Sequence, residues 1–154
     1  MDPDPLRILV VDGPNLNLLG SREPHVYGAE TREMIATRLR NLGAELGCEL
    51  AFFQANGEGQ LVDALQNARQ MAHGVVLNPG ALGHYSYALR DAVAAIGIPV
   101  VEVHLTNVFG REPFRRRLVV APATVGVIVG MGPAGYELAV RGLWAQLRGS
   151  GGGR

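Results

Sequence analysis

Apolar residues recur along the chain in two rhythms. Short runs rich in Val, Ile and Leu occupy residues 7–11, 48–53, 74–77, 99–104 and 125–129, which predicts buried strands. Between and after them, apolar positions return at spacings of three and four, the mark of a helix with one buried stripe. The first stripe is Ile35, Leu39, Leu42 and Leu46, opened by Thr31 as an N-cap and ended by Gly47. Leu61, Leu65, Ala68 and Ala72 form the second, and Tyr85, Leu89, Val93 and Ile96 the third, which Gly97 and Pro99 close. Tyr136, Val140, Leu143 and Leu147 form the last.

Strands that alternate with helices of this length imply βαβ units, a parallel sheet and right-handed crossovers with helices on both faces. Five such strands fit a flavodoxin-like three-layer α/β sandwich with strand order 2-1-3-4-5. Residues 1–154 then form a single domain, ordered over about 7–148, with flexible tails at 1–5 and at 149–154. In this architecture ligands bind beyond the carboxyl ends of the strands, at the switch point between the first and third. Polar residues gather at that end: 15–27 after strand one, 78–86 after strand three and 102–115 around the end of strand four. The sixteen residues 13–28 are long for such a connection, and a loop of that length is usually functional or disordered. They are expected to form a lid, with 20–28 mobile without ligand and ordered with it.

Composition narrows the chemistry. The 14 basic and 14 acidic residues cancel and are scattered, so neither nucleic acid nor an anionic membrane is indicated as a partner. The one local concentration, Arg111 with Arg115, Arg116 and Arg117, is either a small-anion site or a solvated face. All 14 basic residues are arginine, which rules out Schiff-base catalysis and a P-loop lysine. The single Cys48 has no partner for a disulfide or a metal cluster and reads as a small buried hydrophobe in a reducing compartment. The acidic, Pro-broken start does not resemble a leader, and residues 118–131 are too short and interrupted to span a bilayer, so a cytoplasmic protein is expected.

Glu102 and His104 lie two apart in a strand and share a face. A carboxylate beside an imidazole fixes its tautomer and favours the imidazolium, which suits a general acid; the alternative is a surface pair at a strand end. The other histidines, His25, His73 and His84, show no ligand spacing to His104, so no metal site is expected. Tyr27 and Arg22 share the lid, and a guanidinium in contact with a phenol favours the phenolate and so makes a base of it; singly, each is more often solvent-facing. Asn78 precedes Pro-Gly at a strand end, and His84 and Ser86 stand where the third helix begins, either as a ligand site or as ordinary capping. A triad of Ser86, His84 and Asp91 is disfavoured because the nucleophile-elbow motif is absent, and Cys48 sits at the wrong end of its strand to act as a nucleophile.

Four stretches in order, GPNLNLLGSREPHVYG, NPGALGHYSYALRDA, EVHLTNVFGREPFR and GVIVGMGPAGYELA, strongly resemble the type II 3-dehydroquinate dehydratases from about Ile8 to Trp144. The resemblance implies a flavodoxin-like fold, a dodecamer of four trimers, and neither metal nor cofactor. It implies the anti elimination of water from 3-dehydroquinate to 3-dehydroshikimate, in the shikimate pathway. Tyr27 matches the general base, Arg22 the residue that keeps it ionised, and Asn15 a holder of the water that stabilises the enolate. His104 matches the acid that protonates the departing hydroxyl, with Glu102 orienting it. Asn78, His84 and Arg115 match residues that grip the substrate hydroxyls, and the amides of Leu105 and Thr106 match a carboxylate site. Asp91 matches a residue that reaches the site across a trimer contact, and Arg111 a second arginine near the lid. Asp12, Gly83, Tyr85, Phe109, Gly110, Pro113, Arg117 and Leu118 depart from the usual family residues, which leaves room for a paralogue acting on a related cyclic substrate. The alternatives outside catalysis are a flavodoxin-like binding module for a flavin or phosphorylated ligand, which would want a hydroxyl- and Gly-rich loop after strand one, and a catalytically dead homologue.

Overall fold

Register between neighbouring strands decides which side chains meet at the functional end of the sheet. The computed structural model describes residues 4–150. Five parallel strands, β1 (Leu6–Asp12), β2 (Cys48–Gln54), β3 (Gly74–Asn78), β4 (Val100–His104) and β5 (Gly126–Val129), form one sheet in the order β2-β1-β3-β4-β5. The α/β fold and the 2-1-3-4-5 order expected from the sequence are therefore present. Asp12, the last residue of β1, pairs with Gln54 on one side and with Asn78 on the other.

Alternation along the strands sends Ile8, Val10 and Val76 to one face, against Ile35 and Leu39 of α2 (Arg32–Leu46) and Tyr136, Val140 and Leu143 of α5 (Ala134–Ser150). Leu9, Val11, Val75 and Leu77 go to the other face, against Leu61 and Leu65 of α3 (Glu58–Met71) and Leu89 and Val93 of α4 (Tyr87–Ala95). Two cores result, one per face, as a doubly wound sheet requires. Removing a buried leucine such as Leu39 or Leu65, each under 2% exposed, costs about 2–5 kcal/mol.

The boundaries differ from the sequence reading at a few points. Tyr85 is 61% exposed and lies outside α4, because Ser86 accepts a hydrogen bond from the Leu89 amide at 3.0 Å and starts the helix one residue later. Val125 precedes β5, and Pro99 precedes β4. The expected tails fall largely on residues 1–3 and 151–154, outside the described residues, but Leu6 already belongs to β1, and Gly149 and Ser150 continue α5. No helix among the described residues is long and apolar enough to cross a membrane.

The connection after β1 is not structureless. It contains a 3-10 turn at Leu16–Leu18 and a one-turn helix, α1 (Pro24–Tyr27), and Leu16 and Leu19 are buried in the α2/α5-side core. The sequence pattern missed these turns because each is too short to show periodicity. Gly13 enters the connection where no side chain fits: a Cβ there would stand 2.5 Å from the Pro79 carbonyl oxygen. That approach lets the Gly13 amide donate to the Asn78 carbonyl at 2.8 Å and ties the two strand ends together.

Candidate active site

The ends of β1, β3 and β4 surround an open cleft. From the sequence-derived set, Asn15, Arg22, Tyr27, Asn78, His84, His104, Leu105, Thr106 and Arg115 all line it, together with Arg111. Glu102 stands directly behind His104. Asp91 does not reach the cleft of its own chain; it is exposed on α4.

His104 and Glu102 both belong to β4, two residues apart, so the strand itself sets their separation. The His104 Nε2 and a Glu102 carboxylate oxygen are 2.7 Å apart, and the two residues are 5% and 0% exposed. The imidazole nitrogen donates to the carboxylate, which leaves Nδ1 as the ring nitrogen not engaged by Glu102. The alternative of a surface pair is excluded by this burial. His84 stacks on His104 with ring centroids 5.7 Å apart, and its Nδ1 donates to the Arg117 carbonyl at 2.9 Å. Burial pushes the His84 imidazole below its ordinary value, against the pull of the Arg117 carbonyl, and His104 and Arg115 add to the lowering.

Tyr27 ends α1 and is packed in part against the α2/α5-side core. Arg111 donates to its hydroxyl at 3.1 Å and to the Thr106 hydroxyl at 3.3 Å. The Arg22 guanidinium lies over the Tyr27 ring, 4.5 Å from its centroid. The sequence reading gave Arg22 the task of holding the phenol; here the contact with the oxygen belongs to Arg111, and Arg22 covers the ring face. Of the arginine concentration, Arg111 and Arg115 line the cleft while Arg116 and Arg117 are exposed, so it divides between a site and a solvated face.

Asn15 adopts a left-handed backbone with φ 70°, a conformation asparagine tolerates, and its amide donates to the Asn56 side chain at 3.1 Å. Among the described residues, the amides of Leu105 and Thr106 donate to no backbone carbonyl outside the regular elements, and Leu105 follows directly on β4. Both residues line the cleft. Ser86 is buried, capping α4 and donating to Glu58 at 2.6 Å, so its role is structural. Of the residues that depart from the family pattern, Tyr85 and Phe109 are exposed, and Arg117 meets the site only through the carbonyl that holds His84. At Gly83 a Cβ would stand 2.7 Å from the Pro79 side chain and 3.3 Å from the His104 ring.

A buried set of polar groups behind Asn78 was not foreseen. Tyr136 donates to Asp12 at 2.6 Å, Asn78 donates to the Tyr136 hydroxyl at 2.9 Å, and Arg32 donates to the other Asp12 oxygen at 2.9 Å. Burial pushes the Asp12 carboxyl above its ordinary value, against the pull of Tyr136 and Arg32, and burial beside Asp12 pushes the Tyr136 phenol up as well. A tyrosine in a helical stripe was the available signal, since a buried hydroxyl requires a partner.

Comparison with known proteins shows the family. The pattern of the family described as Dehydroquinase class II matches residues 6–144. The 3-dehydroquinate dehydratase of Pelotomaculum thermopropionicum is 57% identical over 136 residues, covering 88% of this chain and 94% of the relative. That of Bacillus subtilis is 54% identical over 138 residues, covering 90% and 93%. The crystal structure of the type II dehydroquinase from Butyrivibrio crossotus superposes with a TM-score of 0.89 at 42% identity, covering 92% of this chain and 99% of that one. With both strand-borne and loop-borne motifs inside the matched range, this chain belongs to the class II dehydroquinase family.

Proposed function

We propose that the cleft dehydrates 3-dehydroquinate to 3-dehydroshikimate by an anti elimination through an enolate. Supporting this reading above all is the presence, in one cleft, of a phenol held by an arginine and an imidazole held by a buried carboxylate. Tyr27 as phenolate removes the proton from the carbon next to the ketone, and the electron pair moves into an enolate. Asn15 helps hold a water that stabilises the enolate oxygen. As the enolate collapses, the C–O bond to the leaving hydroxyl breaks and His104 supplies the proton that makes it water. Glu102 keeps the imidazole oriented for that transfer through their 2.7 Å hydrogen bond.

Asn78, His84 and Arg115 bind the substrate hydroxyls, and the Leu105 and Thr106 amides bind the carboxylate, in keeping with their positions around the cleft. The closing of 20–28 over the ring excludes bulk water and leaves the one molecule that Asn15 helps hold at the enolate oxygen. The reading extends to a cytoplasmic homo-oligomer of four trimers, in which Asp91, exposed on its own chain, completes the cleft of a neighbour. Conversion of 3-dehydroquinate is followed as the rise in near-ultraviolet absorbance of the conjugated enone. Purified protein is expected to give that rise, and no rise at any pH would overturn the proposal.

A further inference from the structure

We infer that Asp12, acting through Tyr136, is a positioning device that fixes the orientation of the Asn78 side-chain amide at the substrate. This rests on the reading that Asn78 binds substrate. The directions of the hydrogen bonds carry the inference. Arg32 is permanently charged and can only donate, so the Asp12 oxygen 2.9 Å from its Nε must accept. The other oxygen accepts from the Tyr136 hydroxyl. Because Tyr136 spends its only proton there, its oxygen must accept from Asn78, which obliges the Asn78 nitrogen to face it. The Asn78 carbonyl oxygen is then turned to the Gly80 amide, which donates to it at 3.1 Å. One N–H and one lone pair of that amide remain for a ligand, in a fixed geometry.

Each member is placed by the fold for this task. Asp12 and Asn78 are register partners at the ends of adjacent strands, so their side chains leave the sheet on the same face. Tyr136 is 1% exposed and Asp12 and Asn78 are each 3% exposed, so water does not compete for these bonds. Arg32 is the first residue of α2, a position where a cation meets the positive end of the helix dipole. The Asp12 carboxylate offsets that cost and gains a charged partner that favours its ionised form.

Asparagine at position 12 has the same shape but one acceptor in place of two. Beside Arg32, that acceptor is taken by the guanidinium, the amide nitrogen faces Tyr136, and the hydroxyl must then donate to Asn78. The Asn78 amide turns over and the Gly80 amide loses its partner. If Arg32 is also made apolar, the asparagine oxygen is released for Tyr136 and the original directions return.

Steady-state kcat and KM for 3-dehydroquinate, with melting temperatures, are measured for wild type, Asn78→Ala, Tyr136→Phe, Asp12→Asn and the pair Asp12→Asn with Arg32→Leu. Loss of one substrate hydrogen bond corresponds to about tenfold in affinity. Asn78→Ala and Tyr136→Phe are therefore each expected to raise KM about tenfold with kcat within about threefold. Asp12→Asn raises KM about fivefold, and adding Arg32→Leu returns it to within about twofold of wild type; a stability effect alone gives no such rescue. A wild-type KM in Tyr136→Phe while Asn78→Ala is impaired overturns the positioning role. So does an equal KM in Asp12→Asn and its double variant, which decides the matter alone if Tyr136→Phe does not fold. A wild-type KM in Asn78→Ala overturns instead the substrate role of Asn78, and the inference with it.

Discussion

The two halves of the cleft are built on opposite principles. On one side, Glu102, His104 and Asn78 are strand residues, buried, and each is held by a partner from a distant part of the chain or from its own strand. On the other, Arg22 and Tyr27 belong to a connection whose turn begins at Glu23, a non-glycine residue with φ 37°, between Gly20 and Gly28 at φ 93° and φ 86°. A side chain in the left-handed region costs energy and persists at sites where function requires it. Leu16 and Leu19 anchor the first part of this connection in the core, while the part beyond Gly20 rests on contacts of Arg22, Tyr27 and Arg111. On the proposed reading, the buried sheet end carries the acid, and the turn between the two glycines carries the base.

Removing the proposed base from the loop half has the largest expected effect. Tyr27→Phe keeps the ring that packs beside Arg22 and deletes only the hydroxyl, so kcat falls by about 10³-fold or more while substrate binding persists. Turnover and equilibrium binding measured together check this, and a variant that retained a tenth of wild-type kcat would remove Tyr27 from its role. Next come the two cations: Arg22→Gln and Arg111→Gln each lower kcat by about 10- to 10³-fold, through loss of a cation over the Tyr27 ring or at its hydroxyl oxygen. Steady-state kinetics check this; a raised KM with kcat at the wild-type value would show that these arginines bind substrate and do not serve the base.

Breaking the rigid half is expected to cost less. Glu102→Gln retains the size of the side chain and removes its charge, so the His104 ring loses the charged acceptor at 2.7 Å that orients it. A fall in kcat of about 10- to 100-fold follows, with little change in KM. Should KM rise while kcat stays at the wild-type value, Glu102 would be acting on substrate binding and not on the acid.

The same contrast governs what the sequence could reveal. Helix stripes such as Leu61, Leu65 and Ala68 are periodic, so their burial is readable from spacing alone. Glu102 and His104 are readable as a pair because strand alternation fixes their relation. Periodicity is silent on the turns at Leu16–Leu18 and Pro24–Tyr27, whose conformations depend on single residues. Most hidden was the chain from Arg32 through Asp12 and Tyr136 to Asn78, whose members are up to 124 residues apart in sequence. Tyr136 looked like one more core position, and nothing in its own helix shows what its hydroxyl meets.

The smallest expected effect concerns His84, where the rigid half meets the loop that carries Arg115 and Arg117. Its imidazole is held below the ordinary value by burial first, so in the window from about 6.5 downwards the unfolded chain binds a proton that the folded chain refuses. The contribution is therefore fully present above the ordinary histidine value and is lost as pH falls through that window. Asp12, raised by burial, has the opposite sign and acts at and above the carboxylate range, so comparison with a variant separates the two. Wild-type stability in urea is expected to fall more steeply than that of His84→Asn as pH is lowered below about 6.5. Parallel curves would mean that protonated His84 is accommodated in the fold, as by a shift of its ring from the Arg117 carbonyl, and that the stack on His104 does not depend on its neutrality.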